Sequence, residues 1–138
     1  MIIKGNIFTD NRGVVSVVND FDFSGIVRFY SIKPRDIETI RAWQGHKFET
    51  KYFFAVIFSF AINWIKIDNW ENPSNDLAIY SAILSDINSE ILKIDPGHIT
   101  GIKALDENST LMVFSNKNLS DSKNDDYRYP LELFNFKN

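Results

Sequence analysis

The chain has 138 residues, no cysteine and a formal net charge of -3. That length corresponds to one domain with a core of its own. The missing thiols exclude a disulfide framework and a thiolate metal site, and the acidic balance argues against nucleic acid as the main partner. Twelve Phe, five Tyr and three Trp, with many Ile and Val, favour strands. Met1–Asn6 lacks the charged start and long apolar stretch of a signal peptide, and no apolar run approaches the ~20 residues of a membrane helix. We therefore expect a cytoplasmic setting and no membrane partner.

The elements read as short strands. Ile2–Phe8 is followed by the turn Thr9-Asp10-Asn11-Arg12-Gly13, with Gly where a positive φ is needed. Val14–Val18 is β-branched, and Val27–Ile32 alternates apolar and polar residues as a half-buried strand does. Lys33-Pro34-Arg35-Asp36 breaks it, and Ile37–Trp43 runs into a polar and basic cluster, Arg41-Ala42-Trp43-Gln44-Gly45-His46-Lys47. Lys51–Asp68 is too long for one strand and should bend near Phe58-Ser59. Asn69–Asp76 is a loop, and Leu77–Leu84 is a strand or a short helix. Glu90–Ile94 ends at the turn Asp95-Pro96-Gly97. Ile99–Leu105 and Thr110–Phe114 pair around Asp106-Glu107-Asn108-Ser109. Ser115–Asp126 reads as a mobile polar loop, and the aromatic tail Tyr127–Phe136 should dock on the body. Eight to ten strands (about that many by spacing) without a convincing helix mean an all-β sandwich or barrel, one domain over residues 1–138.

Three chemistries compete for the polar cluster. A metal would need ligands such as His46, Glu49 and His98, but nothing in the sequence brings His98 to His46, so no metal is expected. No other cofactor is implied. Acid–base chemistry points to His46, whose unperturbed pKa of ~6.5 lies near neutral, with Tyr30, Tyr52 and Tyr127 as further proton donors. Anion binding draws on Arg12, Arg28, Arg41, Lys47 and Lys51, basic groups on or beside strands of an acidic protein. A glycine-rich phosphate loop is absent.

The order of these segments resembles the dTDP-sugar cupins, the dTDP-4-dehydrorhamnose 3,5-epimerases and dTDP-4-keto-6-deoxyhexose 3,4-ketoisomerases. Phe8-Thr9-Asp10-Asn11-Arg12-Gly13 is similar to the family's Asp-x-Arg-Gly turn, and Val27-Arg28-Phe29-Tyr30 continues the match. Ile40-Arg41-Ala42-Trp43-Gln44-Gly45-His46-Lys47 is similar to its Arg-Gly-x-His-x-His-Lys, and Lys51 falls on its lysine before the apolar strand. Ile94–Ile102 is similar to the Pro-x-Gly-x-x-His-Gly-Phe turn, and Asn124–Tyr129 to the closing Asp-Tyr-x-Arg segment. The resemblance implies a cupin-type jelly-roll β-barrel, a double-stranded β-helix. It also implies a homodimer and a nucleotide-sugar substrate whose 4-keto group acidifies a neighbouring C–H.

In that reading His46 is the base, Lys51 the oxyanion partner and Tyr127 the acid. Arg12, Arg28, Arg41, Gln44, Lys47 and Thr100 hold the substrate. The chain departs from the family at three places. Gln44 stands where the family's first His would be, Thr100 where the His-Gly-Phe His would be, and Phe58 replaces a glycine at the strand bend, which should reshape the pocket. Gln44 cannot accept a proton from carbon. Two outcomes are thus expected from the resemblance: an epimerase or ketoisomerase of deoxysugar and polysaccharide synthesis, or a silent cupin that binds a sugar nucleotide or a partner enzyme without converting it.

Overall fold

The computed structural model describes all residues, Met1–Asn138. Strands β1 (Ile2–Lys4), β4 (Arg28–Ile32), β6 (Lys51–Ile57), β9 (Glu90–Ile94) and β11 (Thr110–Ser115) form one sheet in the order β1-β9-β6-β11-β4. Strands β5 (Ile40–His46), β7 (Ser59–Lys66), β8 (Tyr80–Ser85), β10 (His98–Ala104) and β12 (Tyr127–Arg128) form a second, ordered β12-β5-β10-β7-β8. Every pairing is antiparallel. The remaining strands, β2 (Asn6–Asp10) and β3 (Gly13–Val17), make a separate hairpin turned at Gly13, where φ is 137°. No helix is long and apolar enough to cross a membrane.

Alternation decides what lies between the sheets. On the first sheet Phe53, Ala55, Leu92, Ile94, Leu111 and Val113 point inward. They meet Phe60, Ile62, Leu84, Ile102 and Ala104 of the second. The long run Lys51–Asp68 does bend where expected. Phe58, at φ 58°, is the corner at which the chain leaves the first sheet for the second. Its N–H donates to the Asp86 carboxylate at 2.8 Å and its carbonyl accepts the Asp86 N–H at 3.0 Å. Phe58 is half-exposed at that corner and does not line the cavity described below. The expectation that it reshapes the pocket is therefore corrected: the bend points the side chain outward.

β7 is buried on both faces because the second sheet is covered outside as well. Trp43, Ile65, Ile67 and Ile99 form an outer cluster with Phe134 of the tail. The tail is hydrogen-bonded as well as packed. Asn63, fully buried, donates to the Lys137 carbonyl at 2.7 Å and accepts its N–H at 2.6 Å, and the Trp43 indole donates to the Leu131 carbonyl at 3.2 Å. Leu77–Leu84 resolves as the strand Tyr80–Ser85. Ser115–Asp126, expected as a mobile loop, instead contains a short helix, α1 (Leu119–Lys123), capped by the Asn118 side chain.

Candidate active site

A cavity of about 660 Å³ opens at the end of the sandwich near α1. That volume is in the range of small-molecule sites, about 300–1,000 Å³. From the first sheet it takes Arg28, Tyr30 and Ile32 of β4 and Lys51 and Phe53 of β6. Period-two alternation puts these on one face. The pairings Arg28–Ser115 and Ser115–Lys51 set Arg28, Ser115 and Lys51 in one row across three strands.

From the second sheet come Arg41, Gln44, Thr100 and Ile102. Arg41 and Gln44 are three residues apart and would face opposite ways on a regular strand. Thr100 pairs with Gln44 and Ile102 with Arg41, so two steps on β10 match three on β5. This bulge brings Arg41 round to the cavity side. The strands approach closely just beyond it: a Cβ on Gly45 would lie 2.2 Å from the His98 carbonyl oxygen and 2.6 Å from the Ile99 Cα. Glycine is required there for space.

The rest of the wall is Leu119, Ser122 and Lys123 of α1 with Asp126, Arg128 and Tyr129. β12 pairs Arg128 with Gln44 and Tyr127 with Gly45. The Gln44 amide donates to the Asp126 carboxylate at 2.9 Å, and Arg128 Nε donates to its other oxygen at 3.2 Å. Five cationic side chains thus share the cavity with one carboxylate. Arg28 is committed to Glu49, Ser122 and the Lys117 carbonyl. Arg41 and Lys123 enter no ion pair. Like charges gathered in a concave, partly desolvated space favour an anion.

Behind the wall lies a buried hub. The Glu49 side chain is wholly inaccessible and gathers Arg28 at 3.0 Å, Ser115 Oγ at 2.7 Å, His46 Nε2 at 2.9 Å and Lys51 Nζ at 3.8 Å. The His46 Nε2 and Glu49 Oε2 atoms are in contact but poorly aligned. Burial alone would push the Glu49 carboxyl up. The contact with His46, the Ser115 hydrogen bond and the Lys51 charge overcome it and hold the group at about 2. The hub is tied to the loop before β12: the Asp125 carboxylate accepts the Lys47 and Phe48 N–H groups at 2.8 Å each, and its carbonyl accepts from His46 Nδ1.

Of the residues expected from sequence, Lys51, Arg28, Arg41, Gln44 and Thr100 meet in the cavity, as does Tyr30. His46, Tyr52, Tyr127, Arg12, Lys47 and His98 do not line it, and the expected substrate contact of Lys47 is corrected because its ammonium lies over the outward-facing Tyr127 ring. His46 is buried, with Nδ1 on the Asp125 carbonyl and Nε2 against Glu49, so neither ring nitrogen faces the cavity and its placement does not suit a base. Tyr127 alternates outward, its ring 4.7 Å from that of Trp70, with Lys47 Nζ 5.0 Å above it. Arg12 stays on the hairpin turn with Asp10, at 2.7 Å. His98 sits opposite His46 in register, yet its ring turns to the Asp95 carbonyl at 3.0 Å, and no three His, Asp or Glu side chains are grouped to hold a metal. Sequence reasoning missed Asp126, Arg128, Lys123 and the central role of Glu49. Only the closing Asn124–Tyr129 segment carried a signal for the first two.

No family model and no curated protein matches this sequence. Solved structures do. The dTDP-4-dehydrorhamnose 3,5-epimerase of Sulfolobus tokodaii is 18% identical over 98% of this chain and 79% of that one, with a TM-score of 0.78. That of Bacillus anthracis, with TDP and PPi bound, is 15% identical over 94% and 78%, with a TM-score of 0.76. The sugar 3,4-ketoisomerase QdtA of Thermoanaerobacterium thermosaccharolyticum, in complex with TDP, is 21% identical over 96% and 90%, with a TM-score of 0.72. Over nearly its whole length the chain therefore has the jelly-roll cupin fold of the dTDP-sugar epimerases and ketoisomerases, with its two sheets open at the cavity.

Proposed function

We propose that this protein binds a nucleoside-diphosphate sugar in the cavity and moves a proton on the carbon beside the sugar's keto group, as an epimerase or 3,4-ketoisomerase of cytoplasmic deoxysugar and polysaccharide synthesis. The observation that carries this reading is the convergence of Arg41, Lys51, Lys123 and Arg128 on one cavity of an acidic chain. A diphosphate is the anion whose charge and donor-hungry oxygens fit such a set. The fold neighbours agree with it: a mutant of the Thermoanaerobacterium ketoisomerase was solved with TDP-4-keto-6-deoxyglucose.

In this reading Arg41, Lys123 and Arg128 take the phosphates. Gln44 and Thr100 position the sugar, and Lys51 donates to the oxygen that becomes negative when the proton leaves. Glu49 keeps Lys51 and Arg28 in place from behind. A second copy of the chain covers the apolar outer face of the first sheet, where Phe29 and Phe23 are exposed beside Phe21, Tyr52 and Phe114.

The test is proton NMR of dTDP-4-keto-6-deoxyglucose with the protein in D₂O. Loss of a ring C–H signal or a new sugar spin system is expected. A second reading, a silent binder, draws on the amide at position 44 and on His46 facing away from the cavity. It would leave every sugar signal intact while broadening the nucleotide lines. Sharp, unchanged signals throughout would refute both.

A further inference from the structure

We infer that Asp126 is the group that accepts the carbon-bound proton, with Gln44 as its positioning residue. This rests on the reading of the cavity as a proton-transfer site for a nucleotide-linked keto sugar. Asp126 is the one carboxylate among the cavity-lining residues, and no histidine lines the cavity. Its side chain is about three-quarters covered, at 26% exposure, so it is held by the wall and still reachable.

Its two oxygens are oriented from opposite sides. Oδ1 accepts the Gln44 amide at 2.9 Å and Oδ2 accepts Arg128 Nε at 3.2 Å. A carboxylate offers about four lone-pair positions, so each oxygen keeps one for an incoming proton. The bond to Asp126 also settles the orientation of the Gln44 amide, since the reverse would set its oxygen against the carboxylate. Strand pairing enforces the arrangement, because Arg128 and Gln44 are register partners across β12 and β5. The amide at position 44 is thus more than a lost base: it donates to an acceptor that a neutral histidine would otherwise compete with for the proton.

The step balances without a cofactor. Asp126 gains the proton from the carbon beside the carbonyl. The C–H electron pair becomes the carbon–carbon double bond of the enolate, and the carbonyl π pair moves to oxygen, facing the Lys51 cation. Return of a proton to carbon reverses these shifts and restores the carboxylate, with no net oxidation. Carboxylates serve as bases for such protons in other isomerases.

The experiment measures two quantities on the intact protein with dTDP-4-keto-6-deoxyglucose: nucleotide-sugar binding by calorimetry, and C–H exchange in D₂O by NMR. For Asp126→Asn we expect exchange to fall by about 10²–10⁴-fold, with Kd changed by less than about threefold. Asp126→Ala should regain part of its rate with added formate, a small carboxylate, which a merely structural role for Asp126 would not allow. Asp126→Glu, which keeps the carboxylate, should retain a measurable fraction even if the Asn variant folds poorly. Gln44→Leu should slow exchange by a smaller factor. Wild-type-like exchange in Asp126→Asn, or no formate effect on a folded Asp126→Ala, overturns the assignment and leaves the proposed function standing. Binding without any exchange in the unaltered protein overturns the assignment and the converting reading together.

Discussion

Arg41 and Gln44 stand three residues apart on one strand and open on the same cavity. The extra residue on this strand, where three steps from Arg41 to Gln44 are matched by two from Ile102 to Thr100, is the cause. A bulge next to a site re-aims a side chain that strict alternation would turn away. Here it delivers the one guanidinium of the cavity that has neither a hydrogen-bonded carboxylate nor a backbone partner. Replacing Arg41 with Ala should weaken dTDP binding by about 10- to 100-fold, a loss of ~1.5–3 kcal/mol appropriate to charge-assisted bonds. The thermal midpoint should hardly move. Calorimetry at two salt concentrations checks both, since the lost part should be the salt-sensitive part.

Glu49 makes an acid-side prediction. Its folded carboxyl titrates at about 2 against an ordinary 4.5. A depressed carboxylate stabilises the fold fully above the unfolded value, and that contribution disappears as pH falls through the folded one. Between about pH 4.5 and 2 the protein should therefore lose on the order of 3 kcal/mol through this group. Glu49→Gln should remove that part of the pH dependence. At neutral pH it should cost about 3–5 kcal/mol, because Arg28 and Lys51 lose their buried counter-charge. Urea melts at pH 7 and pH 3 test it.

Gly45 is a steric requirement. An Ala there drives its Cβ into the His98 carbonyl and the Ile99 backbone. Since backbone cannot swing aside as a side chain does, β5 must part from β10, carrying Gln44 and His46 with it. Loss of more than about 3 kcal/mol and of nucleotide binding is expected together, read by thermal melting and calorimetry. A Gly45→Ala protein of wild-type stability would show that the two strands are not so close.

Asn63 ties the tail to the second sheet. Asn63→Leu fills similar space but leaves the Lys137 N–H and carbonyl without their partner. A destabilisation of about 1–3 kcal/mol follows, with faster hydrogen exchange confined to residues 131–138. The cavity lies on the opposite face of that sheet, so dTDP affinity should be unchanged.

His46→Asn separates two roles. A base that touched substrate would cost orders of magnitude in exchange rate with little change in fold. A histidine bridging Glu49 and the Asp125 carbonyl should instead lower the thermal midpoint and loosen the Lys47–Thr50 turn, with a rate loss of less than about tenfold. Deuterium exchange kinetics beside a melting curve distinguish them.

The sequence by itself determined the class of fold, because alternation and turn chemistry are local. Val27–Ile32, the bend at Phe58, the turns at Gly13 and Gly97 and the aromatic tail all stand where their residues put them. It also located the basic cluster of β5 and the lysine of β6, since cations on strands next to an apolar run are visible one residue at a time. Which of those groups would face one another was settled only by tertiary structure. Arg41 reaches the cavity through a bulge that no period reveals. His46 turns away from it because Glu49 is buried by strands up to 66 residues distant, and the Ser115 hydroxyl that completes that burial belongs to β11. Asp126 became the cavity's one carboxylate only when β12 paired with β5, 82 residues from the amide that holds it. Register between distant strands is the physical quantity that separates the two kinds of knowledge: one residue of slip exchanges the cavity face for the outer face, and nothing local in the chain records it.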